Sequence, residues 1–520
     1  MLWLPALLSS TALSAEGAAS SGADPSSAGA PLDARAMEVV QPQAQAPDSG
    51  FRYLGLVQTR SSATNIATQN PFYNGQLVGQ LGGSNSTVVL EEGPPAMYTE
   101  LRANTFLSYA PPILDGQVQL NVGFEIDFAF GDLSYGEGGN TGGGFGADQV
   151  NLQTRRLNVA VTPRDWLKLT FGQQFVNDGV HDPASAGPQD LFRSGGGLMF
   201  FGSEATGLIA HGHHDTSFGT AWRWRAGATT LSENASALQD DVALLVADVE
   251  WHPAYATTLG LHAWHLRDRS GGQGGIFGLG PTSALSDLQG GPRLDLRNDG
   301  EGDAPSVDAD LNWLSFDAGY NAALSEGPLG LRALATWNLG RLYVEGLPDV
   351  DVSGVLLDAE ARFRYAPGQG SIIRLEGLFS SANDADPARY TGVMTANSYG
   401  IVGAVYNTHG CVLLFPDLFS INRAVADSFD VSGAGAGIRA VTGSIGYDPI
   451  PDRLTLQLGG GHAQIGSSDR STSEVNLRVI GEPYLFMNLG VTAAYAVRRG
   501  VVDGSPNPFM VYVHGDWLVF

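Results

Sequence analysis

Between Gln117 and Phe128 the chain alternates without a break. Val118, Leu120, Val122, Phe124, Ile126 and Phe128 share one parity, and Gln117, Gln119, Asn121, Gly123, Glu125 and Asp127 share the other. Successive side chains of a strand point to opposite faces, so the segment is a strand with one wholly apolar and one polar face. The pattern recurs. Leucines 454, 456 and 458 oppose Thr455 and Gln457; Leu329, Leu331, Ala333, Ala335 and Trp337 oppose Arg332, Thr336 and Asn338. Val355–Tyr365, Trp166–Val176 and the last stretch, Phe509–Phe520, behave alike. No run approaches the roughly 18 uninterrupted apolar residues that a membrane-crossing helix requires. A chain that presents apolar side chains only at alternate positions, segment after segment, satisfies its backbone in lipid by closing into a barrel.

The connections carry a second signal. Short ones, such as Pro163–Asp165, Pro253–Ala254, Asp448–Asp452 and Gly481–Pro483, hold Pro, Gly or Asp at turn positions. Long ones, such as Ser61–Ala96, Gly131–Val150, Asn177–Ser203, Ser270–Ser306 and Ser381–Ser428, alternate with them. The spacing predicts an all-β fold: a transmembrane antiparallel up-and-down barrel of about 18 strands over 51–520, closed by pairing of the first and last strands, with both termini on the turn side. Tyr109, Trp166, Trp251, Tyr255, Tyr320, Tyr365, Tyr447 and Tyr484 each lie beside a short turn. Amphipathic rings gain most at headgroup level, so this set is expected to form an aromatic girdle.

Residues 1–14 have the apolar core and small-residue end of a secretory signal, and 15–50 form an Ala/Ser/Pro-rich leader without periodicity. A net charge of −25 argues against a nucleic-acid partner. The single cysteine, Cys411, excludes an internal disulfide framework and a cysteine-built metal site. His211 and His213 share a strand face and His262 falls in a later strand, which does not amount to the three or four convergent ligands zinc needs. No nucleophile elbow is present, no cofactor is expected, and nothing in the spacing points to an enzyme.

On the polar parity the expected lumen wall is Glu125, Asp127, Arg156, Lys168, Asp248, Glu250, Asp308, Asp310, Arg332, Asp358, Glu360, Arg362, Arg364, Arg374, Glu376 and Arg478. Both signs are well represented, which leaves two readings open: the wall sorts polar solutes by its local fields, or its acids and arginines merely neutralise one another across strands. Asn177–Ser203 and the semi-apolar Ser381–Ser428 are long enough to fold into the mouth and narrow it. Asp287–Asp303 is acidic but lacks a calcium-loop register, and is expected to be a solvated loop.

Two stretches carry a family resemblance. The terminal strand, FMVYVHGDWLVF, ends on an aromatic residue and resembles the closing strand of bacterial outer-membrane barrels, with Asp516 and His514 departing from the apolar residues usual on that face. WLKLTFGQQFV at Trp166–Val176, after the Pro163-Arg164-Asp165 turn, resembles a strand of phosphate-selective and alginate-export porins. The resemblance implies an integral outer-membrane location, contact with membrane lipid and lipopolysaccharide, and delivery by barrel-assembly machinery that reads the strand ending at Phe520. It implies passive passage of hydrophilic solutes. Two alternatives stay open: polysaccharide export with periplasmic partners, and a structural or adhesive barrel of an envelope-spanning assembly. The mixed wall differs from the uniformly basic interior of an alginate exporter.

Overall fold

The computed structural model describes residues 50–519 except 69–86, 92–94, 113–115, 131–150, 179–200, 216–220, 233–240, 255, 272–305, 323, 325–326, 385, 387, 398–409, 416–430, 432–434, 467–469, 485 and 501–505. The expected signal and leader, the acidic loop, Tyr255, Phe520 and most of Asn177–Ser203 lie outside the described residues.

The first half of the barrel is β1 (Gly50–Thr64), β4 (Ala96–Ala110), β5 (Val118–Phe130), β6 (Asn151–Arg164), β7 (Leu167–Asn177), β8 (Phe201–Asp215), β9 (Ala221–Ser232), β10 (Val242–Ala254) and β11 (Thr257–Asp268). The second is β12 (Val307–Tyr320), β13 (Leu329–Val344), β14 (Val350–Arg364), β15 (Ile372–Ser380), β18 (Ile438–Ile450), β19 (Leu454–Ile465), β20 (Ser471–Tyr484), β21 (Met487–Arg499) and β22 (Phe509–Val519). Each pairs antiparallel with its neighbours, and β1 closes on β22 through Gly55↔Val519 to Thr64↔Met510. The result is the expected closed, 18-stranded barrel. Among the described residues, four short strands lie outside the staves. β2 (Ile66–Thr68) pairs with β3 (Thr87–Val89), β16 (Arg389–Tyr390) runs parallel to β14, and β17 (Ala396–Asn397) runs parallel to β8.

Closure removes both sheet edges, so each outer stave is held by its two neighbours. Deleting Phe509–Val519 is expected to leave β1 and β21 unpaired and to abolish the folded, heat-modifiable band on cold SDS gels.

The outer face is the apolar parity. Along β13 it runs Leu329, Leu331, Ala333, Ala335, Trp337 and Leu339, before Arg341 and Tyr343. At about 3.3 Å per residue and a tilt near 40°, that apolar run rises roughly 25 Å, the height of a hydrocarbon band. Aromatics bound it at the short-turn end: Tyr109, Trp166, Trp251, Tyr320, Tyr365, Tyr447 and Tyr484 are all exposed there. Trp222 joins them, stacked on Trp251 at 5.6 Å between ring centroids. Ala335→Arg, in mid-band, is expected to destabilise the barrel by about 2–4 kcal/mol, measured by denaturant titration in lipid vesicles; an unchanged midpoint would mean that this face does not meet lipid.

One part of the parity reading is corrected. On β12 the inward side chains are Val307, Ala309, Leu311 and Trp313, all buried, while Asp308 and Asp310 share the outer face with Leu314 and Phe316. The alternation inverts because the loop half of the barrel is not water-filled there. Val242, Leu244, Val246, Leu266, Leu342, Val344, Val350 and Val352 also point inward, into an apolar cluster with Tyr390, Val393, Met394, Leu414 and Phe415 from the segment joining β15 to β18. A wall covered by an infolded segment is apolar inside, and above the lipid band its outer face is polar.

Candidate functional site

The interior has two storeys. In the turn half, four charged residues on β14 and β15 make a checkerboard. Register sets Glu360 opposite Glu376 and Arg362 opposite Arg374, so direct cross-strand neighbours repel and the diagonals attract. One contact follows the diagonal, Arg374 Nε donating to Glu360 at 2.5 Å; along the strands, Arg362 Nε donates to the other Glu360 oxygen at 2.5 Å and Arg374 pairs with Glu376. Thr442 on β18 donates to Glu376 at 3.1 Å. Asp358 lies one inward position beyond Glu360, and Arg332 on β13 faces Glu360.

A second cluster spans β9 to β12. Arg225 Nε donates to Asp248 at 2.6 Å, as does Trp264 Nε1 at 2.7 Å. His262 places its two ring nitrogens on two carboxylates, Nδ1 at 2.9 Å from Asp248 and Nε2 at 2.7 Å from Asp317. Two acids on opposite sides hold the imidazole in one plane. Gly260 makes room for it, since a Cβ there would lie 1.7 Å from an Asp317 oxygen.

A third cluster depends on a break in register. Gly123 pairs with Arg156 and Phe124 with Thr154, leaving Arg155 as a bulge. A bulge re-aims a side chain, and here Arg155 pairs with Glu125 on the inner wall and, at 2.8 Å, with Glu204. Arg102 reaches the same Glu125 at 3.5 Å, and Arg156 lies over the Phe106 ring.

In the loop half, β20 grips the infolded segment. The Glu474 carboxylate accepts hydrogen bonds from three successive backbone N–H groups, Val412, Leu413 and Leu414, at 2.8, 2.8 and 2.7 Å. Asn476 donates to the Gly410 carbonyl at 3.1 Å and Arg478 to the Cys411 carbonyl at 3.1 Å. Trp313 Nε1 donates to the Met394 carbonyl at 2.9 Å, and Met394 N–H donates to Asn338 at 2.9 Å. Gly354 admits the backbone of this segment against β14, where a Cβ would lie 2.4 Å from the Gly392 carbonyl. Cys411 is fully buried, and burial together with Glu474 pushes its thiol well up, so it is no thiolate at neutral pH.

Of the residues expected on the lumen wall, Glu125, Arg156, Lys168, Asp248, Glu250, Arg332, Asp358, Glu360, Arg362, Arg364, Arg374, Glu376 and Arg478 lie on the inward parity. Asp308 and Asp310 do not, and the Asp127 side chain lies outside the described residues. The clusters also use Arg102, Arg155, Arg225, His262, Asp317 and Glu474. Alternation alone would have found all of these but Arg155, whose signal is the Arg155-Arg156 doublet inside a strand. His211 and His213 stay on β8, apart from His262, and the described residues hold no group of three or more metal-ligating side chains in reach of one ion.

A closed antiparallel barrel with an aromatic-bounded apolar exterior and a charged interior has the architecture of a transmembrane β-barrel of the outer-membrane type. No protein-family model matches the chain, and no curated protein matches it by sequence. Among solved structures it is similar to Acinetobacter baumannii OccAB1, at 10% identity over 92% of this chain and 99% of that one, with a TM-score of 0.48. It is also similar to Pseudomonas aeruginosa OccK11 (OpdR), at 11% identity over 92% and 100% of the two chains, with a TM-score of 0.44. OmpT, an outer membrane protein of Vibrio cholerae, aligns at 10% identity over 90% and 100%, with a TM-score of 0.37.

Proposed function

We propose that the chain is an outer-membrane channel for passive diffusion of small, charged or strongly polar solutes, narrowed in its outer half by the segment between β15 and β18. One observation carries the reading: the inner wall bears fixed charges of both signs in separate clusters around the barrel, the Glu360–Arg374 group on one sector and the Arg225–Asp248–His262 and Arg102–Glu125–Arg155 groups on others. Buried charge is costly to maintain, and pairs of this kind are commonly neutral or worse for stability than apolar replacements. A wall that keeps them is suited to solutes that replace water contacts with fixed charges as they pass. The arrangement supports polymer export less well, because the mixed signs offer a polyanion no continuous basic track and the infolded segment occupies the outer half.

Liposome swelling with sugars and zwitterions of graded size tests the proposal. The full chain is expected to admit the smallest solutes and exclude those of trisaccharide size. Equal exclusion of every solute by correctly inserted barrels would favour a closed structural role.

A further inference from the structure

The outer face of the barrel carries a row of charge one register step above the apolar band. Arg267 on β11 pairs with Asp310 on β12, Asp310 with Arg341 on β13, Arg341 with Asp351 on β14, and Asp351 with Arg389 on β16. All sit on the outward parity, directly above Asn312 and Leu339, at the loop end of the barrel. Arg269 and Tyr343 extend the patch, both bonded to Asp310, at 2.7 and 3.1 Å. At the opposite end the outward faces beside the turns carry the aromatic girdle instead. In this sector the two rims of the exterior therefore differ in chemistry.

Three arginines in the row are exposed. Arg267 and Arg389 make no ion pair among the described residues. Arg341 pairs with Asp351 at 3.1 Å and lies 3.9 Å from Asp349, but all three side chains are half exposed or more, and such surface pairs are weak enough to exchange partners. Guanidinium groups bind phosphate bidentately, and at headgroup height they meet phosphate at high local concentration.

We propose that this row, Arg267–Asp310–Arg341–Asp351–Arg389, is a binding site for the phosphorylated headgroup of an outer-leaflet glycolipid. It rests on the outer-membrane placement of the barrel and not on its being a channel.

The full chain, purified in detergent, is incubated with lipopolysaccharide, with the same glycolipid after dephosphorylation, or with inorganic phosphate, and the bound species are counted by native mass spectrometry. Wild type is expected to retain the phosphorylated glycolipid. The triple variant Arg267→Ala/Arg341→Ala/Arg389→Ala is expected to retain about tenfold less, given the strength of charge-assisted phosphate contacts. The variant Asp349→Asn/Asp351→Asn, which removes both carboxylates beside Arg341, should increase retention and keeps the test open if the triple variant fails to fold. Equal retention by wild type and both variants, or equal retention of the dephosphorylated glycolipid, would overturn the proposal. Competition by inorganic phosphate at equal concentration would assign the row to free phosphate and overturn the lipid reading. Conductance of the triple variant should equal that of wild type, so failure here leaves the channel reading separately testable.

Discussion

Glu474→Ala is expected to make Cys411 react with a small maleimide about a hundredfold faster, and to enlarge the conductance of the barrel. Three backbone donors converge on this carboxylate at 2.8, 2.8 and 2.7 Å. Hydrogen bonds to a charged group contribute about 1.5–3 kcal/mol each and do not sum in full, so losing all three costs the docked segment on the order of 4 kcal/mol. The donors would also be left without an acceptor. The apolar anchors Leu414 and Phe415 remain, which sets the estimate at a hundredfold rather than more. Cys411 is a clean reporter because it is the only cysteine in the chain and its buried thiol is held in the unreactive form. Glu474→Gln keeps one acceptor oxygen and should fall between the two. Unchanged labelling and conductance in a correctly folded Glu474→Ala barrel would show that the clamp does not hold the segment in place.

Glu360→Ala is expected to destabilise the barrel by about 3–5 kcal/mol, because it leaves Arg362 and Arg374 buried around a missing partner. Removing a negative charge from that sector should also shift the reversal potential in a salt gradient toward anion selectivity. The double variant Glu360→Ala/Arg374→Ala removes the excess charge along with the bond and should recover part of the lost stability. Additive losses in the double variant would mean that the two residues do not act as a pair.

The barrel was legible in the sequence because lipid imposes a strict rule: every second residue of a spanning strand must be apolar. Gln117–Phe128 and Leu329–Trp337 obey it, and strand count, closure and girdle follow from repeating it. The interior obeys no such rule. Asp308 and Asp310 looked like lumen wall because they alternate with Val307, Ala309 and Leu311, and which parity faces in depends on what fills the barrel at that height. That filling comes from residues 390–394 and 410–415, more than forty positions along the chain, and no local pattern announces it. Arg155 escaped for a related reason: a bulge shifts parity by one, and only pairing with β5 reveals it. Glu474 looked like any other inward acid, and its role appears only when the N–H groups of 412–414 are seen facing it.

Single-channel recording of the purified full chain in a planar bilayer tests the central claim most directly. A charged, partly obstructed passage predicts discrete, ohmic current steps that are small in wild type and larger in Glu474→Ala. Barrels that insert in folded form yet pass no current, in both wild type and Glu474→Ala, would contradict it.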